Sequence, residues 1–462
     1  MSPASSLPVQ PLSPLDGRYR PAVADLGDHL SEAGLNRARV HVEIEWLIDQ
    51  TDRSFAGSEP LTDEQKASLR GVVTSFGQAD IDELGALEAT TRHDVKAVEY
   101  YVRARLEQLG LGAIAELTHF ACTSEDINNL SYALTVKAAV ENVWLPRFDG
   151  VVALFEKLAD EYADAPMLSH THGQPATPTT VGKEFAVYAY RLKRVRSQIV
   201  GTEYLGKFSG ATGTFSAHVV ASADIDWPTV SRSFVEGLGL EWNPLTTQIE
   251  SHDWQAELYS RVAHANRILH NVATDIWTYI SMGYITQIPQ AGATGSSTMP
   301  HKINPIRFEN AEANLEISSA LLSSLAETLV TSRMQRDLTD SSAQRNIGVA
   351  FGHSLLALDN ITRGLGEISV NTAAMLDDLD HNWEVLGEAI QTVIRAEITA
   401  GRSSISDPYA LLKELTRGHK VGQAELVAFV EGLDIGAEAK ARLVELTPAT
   451  YTGLAADLVT YL

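Results

Sequence analysis

Apolar residues recur three and four positions apart through most of the middle of the chain, the spacing that lines one face of an α-helix. One stripe runs Val136, Val140, Val143, Phe148, Val152, Phe155, Leu158, with Pro146 as an expected kink. Others run Phe185, Tyr188, Leu192, Val195, Ile199, and Leu258, Val262, Ala265, Leu269, Val272, Ile276. Two more follow, Leu315, Ser318, Leu322, Leu325, Leu329 and then Ile347, Phe351, Leu355, Leu358, Leu365. Such stripes, roughly 15 to 30 residues each, predict an all-α bundle of long helices. Each alone is ordinary core. Together they carry more apolar surface than a monomeric bundle needs, which predicts a homo-oligomer.

Strand signals are sparse. Val40 to Trp46 alternates apolar and polar residues, but its flanks read as helix and the whole segment is assigned helical. Proline and glycine mark loops at 8–17 and 289–305, and glycines recur at 206–213. From about 366 the pattern shortens into smaller helices broken at Gly401 and Asp407-Pro408. The expected division is an N-terminal helical domain (1–112), a central long-helix bundle (113–365) and a C-terminal helical domain (366–462).

Composition narrows the function classes. The 462 residues hold 36 Lys+Arg against 59 Asp+Glu, a formal charge of −23. That field repels polyanions, so nucleic acid is not an expected partner. A small anionic substrate needs a local cationic pocket inside the acidic envelope. One cysteine, Cys122, excludes an internal disulfide and fits a reducing compartment. No secretion signal is visible at the N-terminus, and no apolar run approaches the ~18 residues that span a bilayer. A cytoplasmic protein without membrane contact is expected.

Polar chemistry collects in islands between the stripes, at expected helix ends and loops. Asp16-Gly17-Arg18-Tyr19 is by itself as consistent with a turn holding a packed tyrosine as with a site. His93-Asp94 precedes a helix, where a histidine can simply cap it or the free N–H groups can meet an anion. Thr123-Ser124-Glu125-Asp126 has the look of an ordinary capped helix start. Ser169-His170-Thr171-His172-Gly173-Gln174-Pro175 makes an improbable core segment, and histidine suits proton transfer near neutral pH. Zinc is the rival there, but no supporting Cys/Asp cluster accompanies it. The arginine-rich run 332–346 reads either as a surface ion-pair network or as bidentate recognition of carboxylate or phosphate.

The most specific stretch is Gly295-Ser296-Ser297-Thr298-Met299-Pro300-His301-Lys302-Ile303-Asn304, a doubled serine in a long glycine- and proline-flanked loop, followed by a lysine. A loop of that length is more often functional or disordered than a plain connector. The decapeptide matches Gly-Ser-x-x-Met-x-x-Lys-x-Asn, the signature of the fumarase/aspartase (fumarate lyase) superfamily. With the other islands it resembles the adenylosuccinate lyase family, over essentially the whole chain.

That resemblance implies an all-α homotetramer whose central helices pack into a shared core, with each active site built by three subunits. It implies β-elimination of fumarate from adenylosuccinate, and from the succinyl precursor SAICAR to give AICAR, without cofactor or metal. It makes Ser296 the general base and His172 the general acid, although the acid/base order has been read both ways within the superfamily. Binding positions would be Arg18, Tyr19, His93, Asp94, Thr123, Ser124, Gln248, Ser297, Lys302, Asn304, Arg336, Ser341 and Arg345. Arg92 departs from the family pattern and receives no role. The competing readings are a sister fumarate-releasing lyase acting on argininosuccinate, aspartate or malate, and a non-enzymatic structural role, which the intact Ser296, Lys302 and His172 disfavour.

Overall fold

The computed structural model describes residues 11–290, 299, 302–415 and 420–462. It is mainly helical. The chain resolves into two compact units, one of residues 1–148, 195–269 and 313–359, the other of 149–194, 270–312 and 360–462.

The apolar stripes form the long helices Leu145–Glu161, Val181–Val200, Asp253–Ser281, Ile306–Leu329 and Ile347–Gly366. In the first unit their inward faces are joined by a buried polar thread. Trp144 Nε1 donates to Ser354 Oγ (2.9 Å), Ser354 Oγ to Asn266 Oδ1 (2.8 Å), Asn266 Nδ2 to Ser318 Oγ (2.9 Å), and Ser318 Oγ to the Ala350 carbonyl (2.7 Å). Every member has a partner, so the thread fixes register without leaving a polar group stranded.

The segment around Pro146 is resolved by a wider turn. Helix Ser124–Ala139 passes through a π turn at Val140–Trp144 before Leu145–Glu161 begins. The helical run is unbroken from Ser124 to Glu161, and the wider π turn just before Pro146, in which the Leu145 N–H reaches back to the Val140 carbonyl, makes room for a residue that has no N–H to donate. Val40–Trp46 lies within helix Glu32–Asp52. Val42, Glu43, Ile44, Trp46 and Leu47 are all buried, so the alternation reflects a helix surrounded on most sides, not a strand.

The polar island 169–178, expected at a loop or helix end, instead forms an antiparallel hairpin, Pro166–Thr171 with Gln174–Thr180. In the same unit Ile285–Gln287 pairs antiparallel with Ile368–Val370. Gly206, in the glycine-rich stretch read as a loop, joins Leu205 in a short parallel pairing with Glu241–Trp242.

The shorter helices after 366 gather around their own apolar cluster, which includes Trp383, Leu386, Ile390, Ile394, Leu426, Val430 and Leu443. The breaks fall where expected: Gly401 has φ +71°, and helix Pro408–Leu415 opens with proline after Asp407, whose Oδ1 accepts the Ala410 N–H (3.0 Å). Among the described residues no helix is long and apolar enough to cross a membrane.

Candidate active site

Two helix starts in the first unit carry the site. His93 caps helix Asp94–Gln108, its Nδ1 accepting the Lys96 N–H at 3.2 Å. That contact occupies Nδ1 as an acceptor and leaves Nε2 on the exposed side of the ring to donate. Asp94 opens the helix and receives Arg39 (2.8 Å) and Arg345 (2.9 Å) on the same oxygen, Oδ2. Burial works to raise its pKa, but the Arg39 charge, the Val95 N–H and Arg345 prevail and hold the carboxyl below its ordinary value.

Thr123 caps helix Ser124–Ala139 in an extended conformation. Asp126 Oδ2 accepts the Thr123 N–H at 2.8 Å, one arm of a capping box. Glu125, in the first turn, accepts Arg336 (2.9 Å) and Asn128 Nδ2 (2.8 Å) on Oε1. Arg336 also donates to Ser341 Oγ (3.0 Å) and Gln248 Oε1 (3.3 Å). Asn128 Oδ1 in turn accepts Arg39 Nε at 2.9 Å.

A continuous chain of polar contacts thus runs from Arg345 and Asp94 through Arg39, Asn128 and Glu125 to Arg336, Ser341 and Gln248. Ser341 is held further by Asp340, whose Oδ1 accepts its N–H (2.7 Å) while Oδ2 faces His252 Nε2 at 3.3 Å. Burial would raise the Asp340 pKa, yet the hydrogen bond and charge of His252 keep it low. Each of the three arginines is paired with a carboxylate, Arg39 and Arg345 with Asp94, Arg345 also with Glu32, and Arg336 with Glu125, so the network balances its charges and fixes the guanidinium forks in place.

The N-terminal turn contributes more loosely. Arg18 is exposed and stacks on its neighbour, its guanidinium 5.8 Å from the Tyr19 ring centroid; among the described residues it makes no hydrogen bond to the network. An open cavity of about 660 Å³ has Asp16, Arg20, Glu32, Tyr132 and Arg345 in its wall, so this turn and Arg345 face one space. That volume suits a drug-sized or nucleotide-sized ligand.

In the second unit His172 sits at the exposed tip of the hairpin, between Thr171 and Gln174, which pair across it. His172 and Gly173 both have positive φ, +54° and +72°. A two-residue turn with both φ positive is the type I′ hairpin turn, whose twist matches the strands, and histidine tolerates that region better than most residues. The hairpin is braced where Thr177 Oγ1 donates to Glu388 Oε2 at 2.6 Å, an oxygen that also accepts the Tyr451 hydroxyl at 3.4 Å. Lys302 is exposed, its N–H donating to the Met299 carbonyl (3.0 Å), and Asn304 is half-buried before helix Ile306–Leu329. Ser296 and Ser297 lie outside the described residues. No cluster of three His, Cys, Asp or Glu side chains suited to a metal occurs among the described residues.

Sequence reasoning did not single out Arg39 or Lys207 as part of the site, and took in Asn128 only as a member of the helix start at 123–129. Arg39 is buried, but it stands among other charged residues of helix Glu32–Asp52, such as Arg37, Glu43 and Glu45, and so carried no distinguishing signal. Lys207 carried none beyond its glycine-rich surroundings.

A family profile described as "Lyase" matches residues 17–316, and one described as "Adenylosuccinate lyase C-terminal" matches residues 332–452. The chain is 47% identical over 450 residues to adenylosuccinate lyase of Escherichia coli (strain K12), covering 97% of each. It is 46% identical over 450 residues to that of Haemophilus influenzae, again covering 97% of each. Its fold is similar to that of a fumarate lyase from Mesorhizobium sp. BNC1, with a TM-score of 0.74 at 19% identity over 95% of this chain and 97% of that one. Two helix starts, a histidine-tipped hairpin and an arginine network thus occur in a sequence nearly half identical to curated relatives along its whole length, and the chain belongs to the adenylosuccinate lyase family of the fumarate lyase superfamily.

Proposed function

We propose that the protein is a carbon–nitrogen lyase of purine biosynthesis that eliminates fumarate from adenylosuccinate to give AMP, and from SAICAR to give AICAR. The observation that carries this reading is the polar network joining Asp94, Arg345, Arg336, Ser341 and Gln248, which holds guanidinium, hydroxyl and amide groups suited to a ligand bearing a phosphate and two carboxylates.

The difficult step is loss of the proton on the carbon beside a carboxylate, which builds a second negative charge there. Cations and N–H donors already aimed at that carboxylate supply the largest part of the rate. Ser296 takes the proton as an alkoxide favoured by Lys302 and by exclusion of water. The C–N bond then breaks, fumarate forms, and His172 delivers a proton to the departing nitrogen. Its place on an exposed turn, on a hairpin braced by Glu388, suits a group that meets substrate held by a neighbouring subunit. Arg18, Tyr19, His93, Asp94, Thr123, Ser124, Gln248, Ser297, Asn304, Arg336, Ser341 and Arg345 hold the ligand. No cofactor takes part.

The working form is a homotetramer with sites shared between subunits. Exposed Val187, Tyr190, Trp277 and Ile317 on the long helices, with Val330 just beyond the end of one, supply apolar surface for it. Three domains, 1–112, 113–365 and 366–462, organise each chain; the separate apolar cluster from Trp383 to Leu443 supports the last.

The test is a substrate panel followed by the ultraviolet absorbance of fumarate. Adenylosuccinate and SAICAR are turned over, whereas argininosuccinate, aspartate and malate are not. Turnover of argininosuccinate alone would overturn the assignment.

A further inference from the structure

Beneath the Thr123–Ser124 helix start lies a fully buried ion pair. Lys207 Nζ and Asp126 Oδ1 are 2.8 Å apart, and both side chains have 0% exposure. Lys207 spends its remaining two ammonium hydrogens on the Gly210 and Gln248 carbonyls, each at 2.8 Å. Asp126 accepts the N–H groups of Thr123 (2.8 Å), Ser209 (2.9 Å) and Gly210 (3.1 Å). Asn129 grips the Lys207 backbone from both sides, taking its N–H (2.7 Å) and donating to its carbonyl (2.8 Å).

A buried ion pair seldom adds net stability over apolar residues of similar volume, because desolvation of both charges offsets their attraction. Its consequence here is geometric. Three separate segments, the Thr123 cap, the Ser209–Gly210 turn and the backbone of Gln248, converge on one pair of charges with no donor or acceptor left over. Gly210 has φ +80°, so the turn that presents its carbonyl to Lys207 is one that favours glycine. The lysine also cancels a carboxylate charge that would otherwise stand directly behind an anion-binding helix start.

We infer that Lys207, through Asp126, is a positioning residue for substrate binding: it locks Thr123 and Gln248 in the relative placement that the ligand requires and neutralises the field behind them. The inference rests on the binding roles proposed above for Thr123, Ser124 and Gln248, and extends them to a residue that touches no ligand.

The test compares Lys207→Met, Lys207→Arg and the double variant Lys207→Met/Asp126→Asn in the full-length protein. Lys207→Met leaves a buried unpaired carboxylate, which by itself destabilises the fold, so the double variant, with neither charge, decides. It is expected to keep wild-type helical content while KM for adenylosuccinate rises about tenfold or more, the cost of displaced binding groups, with kcat changed far less. Lys207→Arg restores part of the affinity. Amide hydrogen exchange, read without substrate, speeds up at Thr123, Ser209 and Gly210 in the double variant. A double variant with wild-type KM, or with wild-type protection at those amides, overturns the inference. Failure of the functional reading shows elsewhere, as a wild-type protein that releases no fumarate from adenylosuccinate, and leaves the exchange result to decide whether the pair holds these segments.

Discussion

His119 shows how a single contact sets a pH response. Its Nδ1 lies 2.6 Å from Glu43 Oε1 and its N–H donates to Glu43 Oε2 at 3.0 Å, just before the Thr123 helix start. Burial works to lower the His119 pKa, but the hydrogen bond and charge of Glu43, with Glu99 and Asp126 behind, raise it. A raised pKa means stability fully present below the unfolded value of about 6.5 and lost as pH rises through the folded one. The stability gap between wild type and His119→Gln should therefore be widest near pH 6 and narrow as pH climbs, read as denaturation midpoints across a pH series. A gap that stays constant or widens contradicts the pairing. Asp94 runs the opposite way: its depressed pKa contributes stability above about pH 4 that is lost as pH falls. The candidate residues His93 and Thr123 were readable as helix starts because capping has a local signature. Asp126 was readable as part of the capped start, but its pairing with Lys207 was not, since nothing local marks a lysine that will be buried against an aspartate far away in the chain.

Helices were readable for the same reason in reverse: a long apolar stripe repeats its message every turn, and a tertiary context rarely overrides it. The hairpin at 166–180 was not. Beyond Met167, Leu168 and Ala176 its residues are Ser, His, Thr, Gly, Gln and Pro, a loop composition, and its two strands lack the apolar alternation that marks a half-buried sheet. What makes it a hairpin is the positive-φ turn at His172-Gly173 and the brace from Glu388, neither of which leaves a periodic trace. Within the long helices the thread Trp144–Ser354–Asn266–Ser318 is fully buried. Ser354→Ala would leave the Trp144 indole N–H and one Asn266 lone pair unpaired in the core. We expect a loss of about 1–3 kcal/mol, measured as a lowered denaturant midpoint. An unchanged midpoint would show that the thread contributes nothing to register or stability.

For the molecule as a whole, the acidic charge of −23 and the arginine network act at different ranges. Beyond a Debye length of about 8 Å at physiological salt the net charge is screened, whereas buried Arg39, half-buried Arg336 and exposed Arg345 act on a ligand only within contact distance. Affinity for the anionic substrate should therefore weaken only modestly with added salt, measured as KM between low and physiological ionic strength; a collapse of affinity would place recognition in long-range steering instead. The proposed assembly into a tetramer with composite sites makes a further demand, that two inactive chains repair one another. The decisive measurement is fumarate release from adenylosuccinate by wild type, Ser296→Ala, His172→Ala and the two variants co-expressed. The account predicts turnover by wild type, a drop of about 10²–10⁴ in each single variant, and recovery of a fraction of wild-type activity in the co-expressed mixture. Near-wild-type turnover by Ser296→Ala or His172→Ala, or a wild-type protein inert toward adenylosuccinate, would contradict it.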